Sequence, residues 1–549
     1  MKIAQSCNRC TAVGLARTPE VDLRFFLPPP PCPERVARAS TPKLFERILS
    51  ALPSSGSPYV HDCIRSLTST ALDSYVPGCD DEALADADLG DEFGRDSHHM
   101  FAAHALRRRY TERDLVEFCL QALLGHSTVA AHCLKMVEEG VLPVFAKILR
   151  DHPDNPGIKS LIGGWLNLFF WFLNLMKTCI LFSGKIIANI SLHEETHEAV
   201  FRSGWVGILA SWKQDPNLLV TLPATKALCN LDQKYGDVYM PGVYLLMPEH
   251  RSVRHLNELS NWGVDVVFIH GILGGVFYSW RQLDADNSRD WGTRELVSTP
   301  DYSYCWPRDW MSELSADNNV RVIGVDFDSY LSQWGNTCPS ESFRTNLADR
   351  SADILERLKA SGVGRRPTIF VGHSLGGLII KRMLVSAAES SAASDADREL
   401  VANARGVLFY GTPHAGTAVA NLGSAAKYLF FPTAEVRELE KGAPQLEELN
   451  SSFKVCLRRM YATEQLRTNV SSAHQELVTQ SQKSSAVGGI EVVSFGESKA
   501  TPYLGLDLTF VPPESSNPGV GVHTQVDSNH MNICKPANRQ SVLYKKLGR

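Results

Sequence analysis

The chain has 549 residues, 44% of them hydrophobic and 21% charged, with a formal net charge of −5. That length predicts more than one domain around a sizeable core, and a negative balance with no basic tract among aromatics excludes nucleic acid as the expected partner. Thirteen cysteines, an odd number scattered along the chain, read as reduced thiols and not as the disulfide framework of a small secreted domain.

Residues 1–110 read as a loosely organised segment. No continuous apolar core follows Met1-Lys2, so a secretory signal peptide is not expected. Cys7 and Cys10 lack a second pair at zinc-ligand spacing and read as two thiols. Phe25-Phe26-Leu27 runs into Pro28 to Pro31, an extended polyproline stretch, and the acidic run from Asp80 to Asp96, interrupted by glycine, reads as a solvated loop. Between them, residues 42–52 and 60–72 can form helices.

From Glu112 the apolar spacing becomes helical, with Leu115, Cys119, Ala122 and Leu123 on one face. An internal similarity follows over residues 111–236. Met136-Val137-Glu138-Glu139-Gly140-Val141-Leu142 matches Val200-Phe201-Arg202-Ser203-Gly204-Trp205-Val206, each ending one helix and starting the next. Ala188-Asn189-Ile190 likewise matches Cys229-Asn230-Leu231. The second pair is offset by 41 residues, within the period of armadillo and HEAT repeats, whereas the first is offset by 64. The surplus points to the apolar, aromatic run 164–183, GWLNLFFWFLNLMKTCILFS, as an insertion. Three readings of it stand side by side. It is just long enough to span a bilayer, although Lys177 would be costly in hydrocarbon; it could be an interfacial hairpin; or it is extra translated sequence without a function. Stacked repeats of this kind commonly present a face to a protein partner.

Residues 237–262 read as a linker, and 263–549 as an α/β domain. Strand patterns at 264–269, 320–325, 368–371, 407–410, 489–495 and 506–511 are separated by helical stretches such as 351–360 and 378–386. Such alternation predicts a mostly parallel sheet with helices on both faces and functional residues at the carboxyl ends of the strands. The most informative stretch is Val371-Gly372-His373-Ser374-Leu375-Gly376-Gly377, where a β-branched run ends in a glycine-rich turn before a helical pattern. This is the sequence form of a nucleophile elbow, with Ser374 at its apex. The glycines answer to strained dihedrals and to the close approach of strand and helix.

A serine nucleophile needs a base placed after the last strand. His530 qualifies, with His523 as its rival in the same loop; His373 points away from the serine, and His414 shapes the pocket. The acid should follow the penultimate strand, which favours Glu497. Glu514 comes one element late, and Asp527 lies so close to His530 that it would order the loop instead. The turn His270-Gly271-Ile272-Leu273-Gly274-Gly275 should supply part of an oxyanion hole, the donors being the N–H groups of Ile272 and Leu375. It carries neither GxGxxG nor a P-loop lysine, so phosphate cradling is not its expected role.

Taken in order, HGILGGVFYSWRQ (270–282), CWPRDW (305–310), VGHSLGGLIIKRML (371–384), VLFYGTPHAGT (407–417), VSFGES (493–498) and NHMNICKP (529–536) resemble the family of serine active site-containing proteins, lipase-like α/β-hydrolases. RTPEVDLRFFLPPPP (17–31) and RSGWVGILASW (202–212) extend the resemblance through most of the chain. It implies an armadillo-like region before the hydrolase domain, a role in phosphatidylglycerol remodelling and intracellular cholesterol trafficking, and residence at mitochondria and associated endoplasmic reticulum. The family lacks the 164–183 run, and this chain begins inside the family pattern. The expected function is therefore a serine hydrolase or transacylase of phospholipid acyl esters at a membrane surface, with no metal or organic cofactor. The alternative is a catalytically silent scaffold that binds a membrane-protein partner through its helical repeats.

Overall fold

The computed structural model describes residues 9–17, 41–52, 112–150, 179–215, 217–232, 239–247, 263–272, 274–283, 302–311, 320–327, 329, 346–389, 393–417, 438–439, 442–471, 486–487, 490–503 and 506–547. The described residues up to 232 form one compact unit and those from 239 onward another.

Among the described residues the first unit is built of helices. Its helices are Arg9–Arg17, Thr41–Ala51, Glu112–His126, Ala130–Glu138, Val141–Arg150, residues 179–190, Glu194–Arg202, Trp205–Lys213 and Leu218–Asp232. Helices Ala130–Glu138 and Glu194–Arg202 end in the same way: a right-handed residue, then a glycine with positive φ (89° at Gly140, 74° at Gly204), then a new helix. Only glycine adopts that conformation without a steric penalty, which explains the repeated residue pattern.

Polar contacts repeat at the same 64-residue offset. The Cys133 thiol donates to the Ser127 carbonyl at 3.1 Å, and His197 Nε2 donates to that of Ser191 at 2.8 Å. At the 41-residue offset instead, the amide of Asn189 donates to Ser127 Oγ at 2.9 Å, and that of Asn230 donates to the Ala188 carbonyl at 2.7 Å and to Ser191 Oγ at 3.4 Å. The residues that lengthen the first interval lie within 151–178, outside the described residues.

Two boundaries expected from the sequence shift here. Helices Arg9–Arg17 and Thr41–Ala51 are not loose: Val13, Ala16, Leu44, Phe45 and Ile48 are buried in the same core as Trp205 and Leu228. Their apolar residues recur at helical spacing, so burial against the later helices offsets the short length of each. The last five residues of the apolar run, 179–183, open the helix 179–190; Cys179 is buried, and Ile180, Leu181 and Phe182 pack against the core. Residues 179–183 of that run therefore belong to the helical unit. Residues 164–178 are outside the described residues. No helix among the described residues is long and apolar enough to cross a membrane.

The second unit is built on one twisted sheet. Its strands are β1 (Val243–Met247), β2 (Val264–Ile269), β3 (Val320–Val325), β4 (Thr368–His373), β5 (Ala404–Tyr410), β6 (Ala486–Val487), β7 (Ile490–Glu497) and β10 (Val522–Val526), while β8 (Thr501–Tyr503) and β9 (Leu506–Leu508) form a separate hairpin. The order is β1-β3-β2-β4-β5-β7-β10, parallel from β3 to β10, with β1 antiparallel on β3 and β6 antiparallel on β7. This is an α/β-hydrolase domain with a mostly parallel sheet. Its central strands are buried along nearly their whole length, as in VDVVFI and ARGVLFY, because helices such as Leu347–Ala360 and Leu375–Glu389 cover them.

Two expectations fail in this unit. Val243–Met247 lies in the stretch expected as linker, yet it is an edge strand with four of its five residues buried, because VYLLM is apolar on both faces. The stretch 506–511 is not the last strand of the sheet: Leu506–Leu508 pairs only with Thr501–Tyr503, and the last strand is Val522–Val526, in register with β7 from Val493 to Glu497.

Candidate active site

The elbow sits where β4 meets the helix Leu375–Glu389. Ser374 has φ 52°, the positive φ of a non-glycine residue that marks a strained turn. Its N–H donates to the Tyr410 carbonyl at the end of β5, at 2.9 Å, which ties the turn to the neighbouring strand. The glycines are there for space. A β-carbon on Gly372 would meet the Gly377 backbone at 2.7 Å, and one on Gly376 would overlap the carbonyl oxygens of Ile269 and His270 at the end of β2. Those neighbours are backbone atoms and cannot yield.

Parallel strands in the order β4-β5-β7-β10 bring their carboxyl ends together, and the loops that leave them meet over the elbow. Glu497 is the last residue of β7, and His530 lies in the loop after β10. The Ser374 hydroxyl donates to His530 Nε2 at 3.0 Å, and His530 Nδ1 donates to Glu497 Oε2 at 2.6 Å. All three side chains are buried. Glu497 Oε1 accepts from the N–H of Val511 at 3.0 Å, so both oxygens of the buried carboxylate are occupied.

The other candidates lie elsewhere. Asp527 is exposed and accepts from Lys499 Nζ at 2.9 Å. Glu514 belongs to the short helix Pro513–Ser516, and the carboxylate on His530 is that of Glu497. His523 is on β10, where its Nε2 meets Ser516 Oγ at 3.0 Å. His414 is buried edge-on against Phe409, and burial holds its imidazole well below the usual range, with neighbouring Lys381 acting in the same direction. Its ring does not reach Ser374, whose hydroxyl pairs with His530.

Of the two expected oxyanion donors, Leu375 opens the helix after the nucleophile, where the first N–H groups have no intrahelical acceptor. Ile272 follows Gly271, and Gly271 lies against the elbow: a β-carbon there would stand 2.6 Å from Ser374 Cβ and 2.9 Å from the His373 carbonyl. The loop carrying Ile272 is therefore as near to the serine as sterics permit. Among the described residues there is no cluster of three metal-ligating side chains.

Several supports of the site carry no sequence signal of their own. The N–H of His530 donates to Thr501 Oγ1 at 3.0 Å, and the ring of Phe510 stacks on the His530 imidazole, with centroids 5.1 Å apart and planes 8° from parallel. Four residues on, the Cys534 carbonyl accepts from Trp306 Nε1 at 3.2 Å. Trp306 in turn packs edge-on against Phe268, Trp280 and Tyr544. The CWPRDW and HGILGGVFYSW stretches thus share an aromatic core that braces the loop of the histidine.

Family models match a stretch in each of the two units. The model of the SERAC1 N-terminal domain matches residues 1–29, and that of the alpha/beta hydrolase family matches residues 266–479. Among solved structures, phospholipase PlaB from Legionella pneumophila overlaps 46% of this chain and 44% of its own, at 13% identity and a TM-score of 0.28, a likeness too slight to bear on substrate. Protein SERAC1 of Homo sapiens is 32% identical over 99% of this chain and 72% of its own length. Protein SERAC1 of Danio rerio is 36% identical over the same shares of the two chains, and with similarity of that extent the chain belongs to the SERAC1 family.

Proposed function

We propose that the second unit is a lipase-like serine hydrolase or acyltransferase that cleaves acyl esters of phospholipids through an acyl-enzyme on Ser374. The observation that carries this reading is the unbroken chain from Ser374 Oγ through His530 to Glu497, with contacts of 3.0 and 2.6 Å. In the acylation step Ser374 Oγ attacks the ester carbonyl and its proton passes to His530 Nε2. Glu497 remains ionised, holds the tautomer that leaves Nε2 free to accept, and stabilises the imidazolium. The N–H groups of Ile272 and Leu375 face the developing oxyanion. The lipid alcohol departs with the proton held by His530, and water or a second lipid alcohol then takes the acyl group by the same steps in reverse.

The resemblance to the serine active site-containing family supports the finer parts of the proposal: phosphatidylglycerol remodelling, intracellular cholesterol trafficking, and a place at mitochondrial and endoplasmic reticulum membranes. The repeated turns at Gly140 and Gly204 support reading the first unit as armadillo-like repeats that receive a protein partner. A fluorophosphonate probe tests the chemistry. In folded, membrane-reconstituted protein, mass spectrometry should place the adduct on Ser374; if a known serine hydrolase reacts alongside and Ser374 does not, the scaffold reading replaces this one.

A further inference from the structure

His373 stands next to Ser374 in sequence, and a residue beside a nucleophile on a tight turn directs its side chain away from the reacting atoms. The structure gives this side chain a definite task. Its Nε2 donates to the backbone carbonyl of His530 at 3.0 Å, and the two imidazoles lie 5.1 Å apart. The contact is buried and spans 157 residues of sequence. A carbonyl can only accept, so the proton of His373 is on Nε2. Its Nδ1 is buried with no hydrogen-bond partner, on the side where a β-carbon at Gly271 would stand 3.1 Å away.

We infer that His373 is a positioning residue for the base: it fixes the backbone of His530 directly from the nucleophile strand, so that serine and histidine share one rigid mount. The inference rests on the proposed serine-hydrolase reading. Thr501 holds the N–H of the same peptide unit, Glu497 holds Nδ1, and Phe510 covers the ring. Without His373 the backbone of His530 would lose its hydrogen bond to the nucleophile strand. The arrangement also requires a neutral His373, since a second proton on Nδ1 would be buried, unpaired, and beside a base that becomes cationic during turnover. The groups around it favour neutrality: burial holds its imidazole well below the usual range, and His530, Lys535 and His270 act in the same direction, against the opposing carbonyl bond.

The test uses the full chain and the rate of fluorophosphonate labelling at Ser374, followed against pH. His373→Leu keeps volume but removes the donor. It should slow labelling ~10- to 100-fold, the scale expected for a misplacement of about 1 Å in a catalytic group, and displace the acid limb of the pH profile. His373→Gln carries an amide nitrogen at the same reach as Nε2, and should restore most of the rate and the original acid limb. A Leu variant as fast as the wild type, or a Gln variant as slow as the Leu variant, would overturn the inference while leaving the hydrolase reading intact. A wild-type chain that never labels would overturn both. Independently of how the variants fold, 15N-histidine spectra of the wild type at neutral pH should show His373 as the neutral Nε2–H tautomer; an Nδ1–H tautomer or an imidazolium would also overturn it.

Discussion

Glu497 and His530 meet at 2.6 Å although 33 residues separate them, because Glu497 closes β7 and pairs in register with Val526, the last residue of β10, from which the histidine loop departs. The carboxylate is thus placed by sheet register, and the histidine is brought to it by a short loop. Asp527, adjacent to that strand end, is turned outward to Lys499.

Glu497→Gln should therefore lower the rate of Ser374 acylation by roughly three to four orders of magnitude while leaving the fold intact, since an amide cannot hold the histidine tautomer or stabilise its cation. Glu514→Gln and Asp527→Asn should each stay close to wild type. Labelling rates and circular dichroism on the three variants check this, and a large loss in Glu514→Gln would move the acid to that residue.

Gly271→Ala should abolish labelling with a smaller effect on stability. The new methyl group would press on Ser374 Cβ and the His373 carbonyl; overpacking of this kind costs about 1–3 kcal/mol, and here the displacement falls on the nucleophile itself. Thermal melting beside labelling separates the two effects, and a folded, fully reactive variant would show that the elbow tolerates a shift.

Lys381, buried on the helix that follows the nucleophile, should make the protein less stable as pH falls. Its Nζ donates to Asn450 Oδ1 at 2.6 Å and lies over the rings of Phe409 and Phe453. Burial, and then the charge of Lys454, hold it well below the ordinary 10.5. The native state therefore binds fewer protons at this group than the unfolded chain does, and stability rises with pH from the folded pKa up to the unfolded value. Lys381→Met should raise the melting temperature more at pH 6 than near pH 10, even with Asn450 losing its donor. An equal change at both pH values would mean that the native lysine is charged.

In the first unit, deletion of residues 164–178 should leave the melting temperature unchanged or raise it. The repeated contacts at Ser127 and Ser191, and those made by Asn189 and Asn230, lie on either side of that segment. Extending the deletion through 183 should destabilise the unit, because Cys179 is buried and Ile180, Leu181 and Phe182 pack on the core; losing one buried aliphatic side chain already costs about 2–5 kcal/mol. Circular dichroism melts of the two deletions check this, and an unfolded 164–178 variant would show that the segment is needed by the repeats.

The elbow could be read from the sequence because its geometry admits few residues: Ser374 takes a positive φ, and Gly372, Gly376 and Gly377 face backbone or side-chain atoms too near for a β-carbon. Glu497 and His530 could be placed because parallel strands send their ends to one edge of the sheet. The true last strand was obscured by its own composition. Val522–Val526 reads VHTQV, an edge strand in which only Val526 is buried, whereas LDLTFV at 506–511 has the apolar alternation of a core strand, yet only Leu506–Leu508 forms a strand, in a hairpin. Val243–Met247 was hidden by its shortness and by the Pro241-Gly242 turn before it. The contacts that hold His530, from Thr501, Phe510 and the Val511 N–H to Glu497, depend on three-dimensional proximity and leave no spacing rule in the chain.

The bracing of the histidine loop also bears on how activity is lost with heat. The loop is tied to the end of β4 through His373, to β7 through Glu497, to the β8 hairpin through Thr501, and to the aromatic core through Trp306. It has no hinge of its own among these contacts, so the base can leave the serine only when one of those elements gives way. Local opening that frees the histidine would then require several of these contacts to break together, and inactivation should follow closely on the loss of the fold.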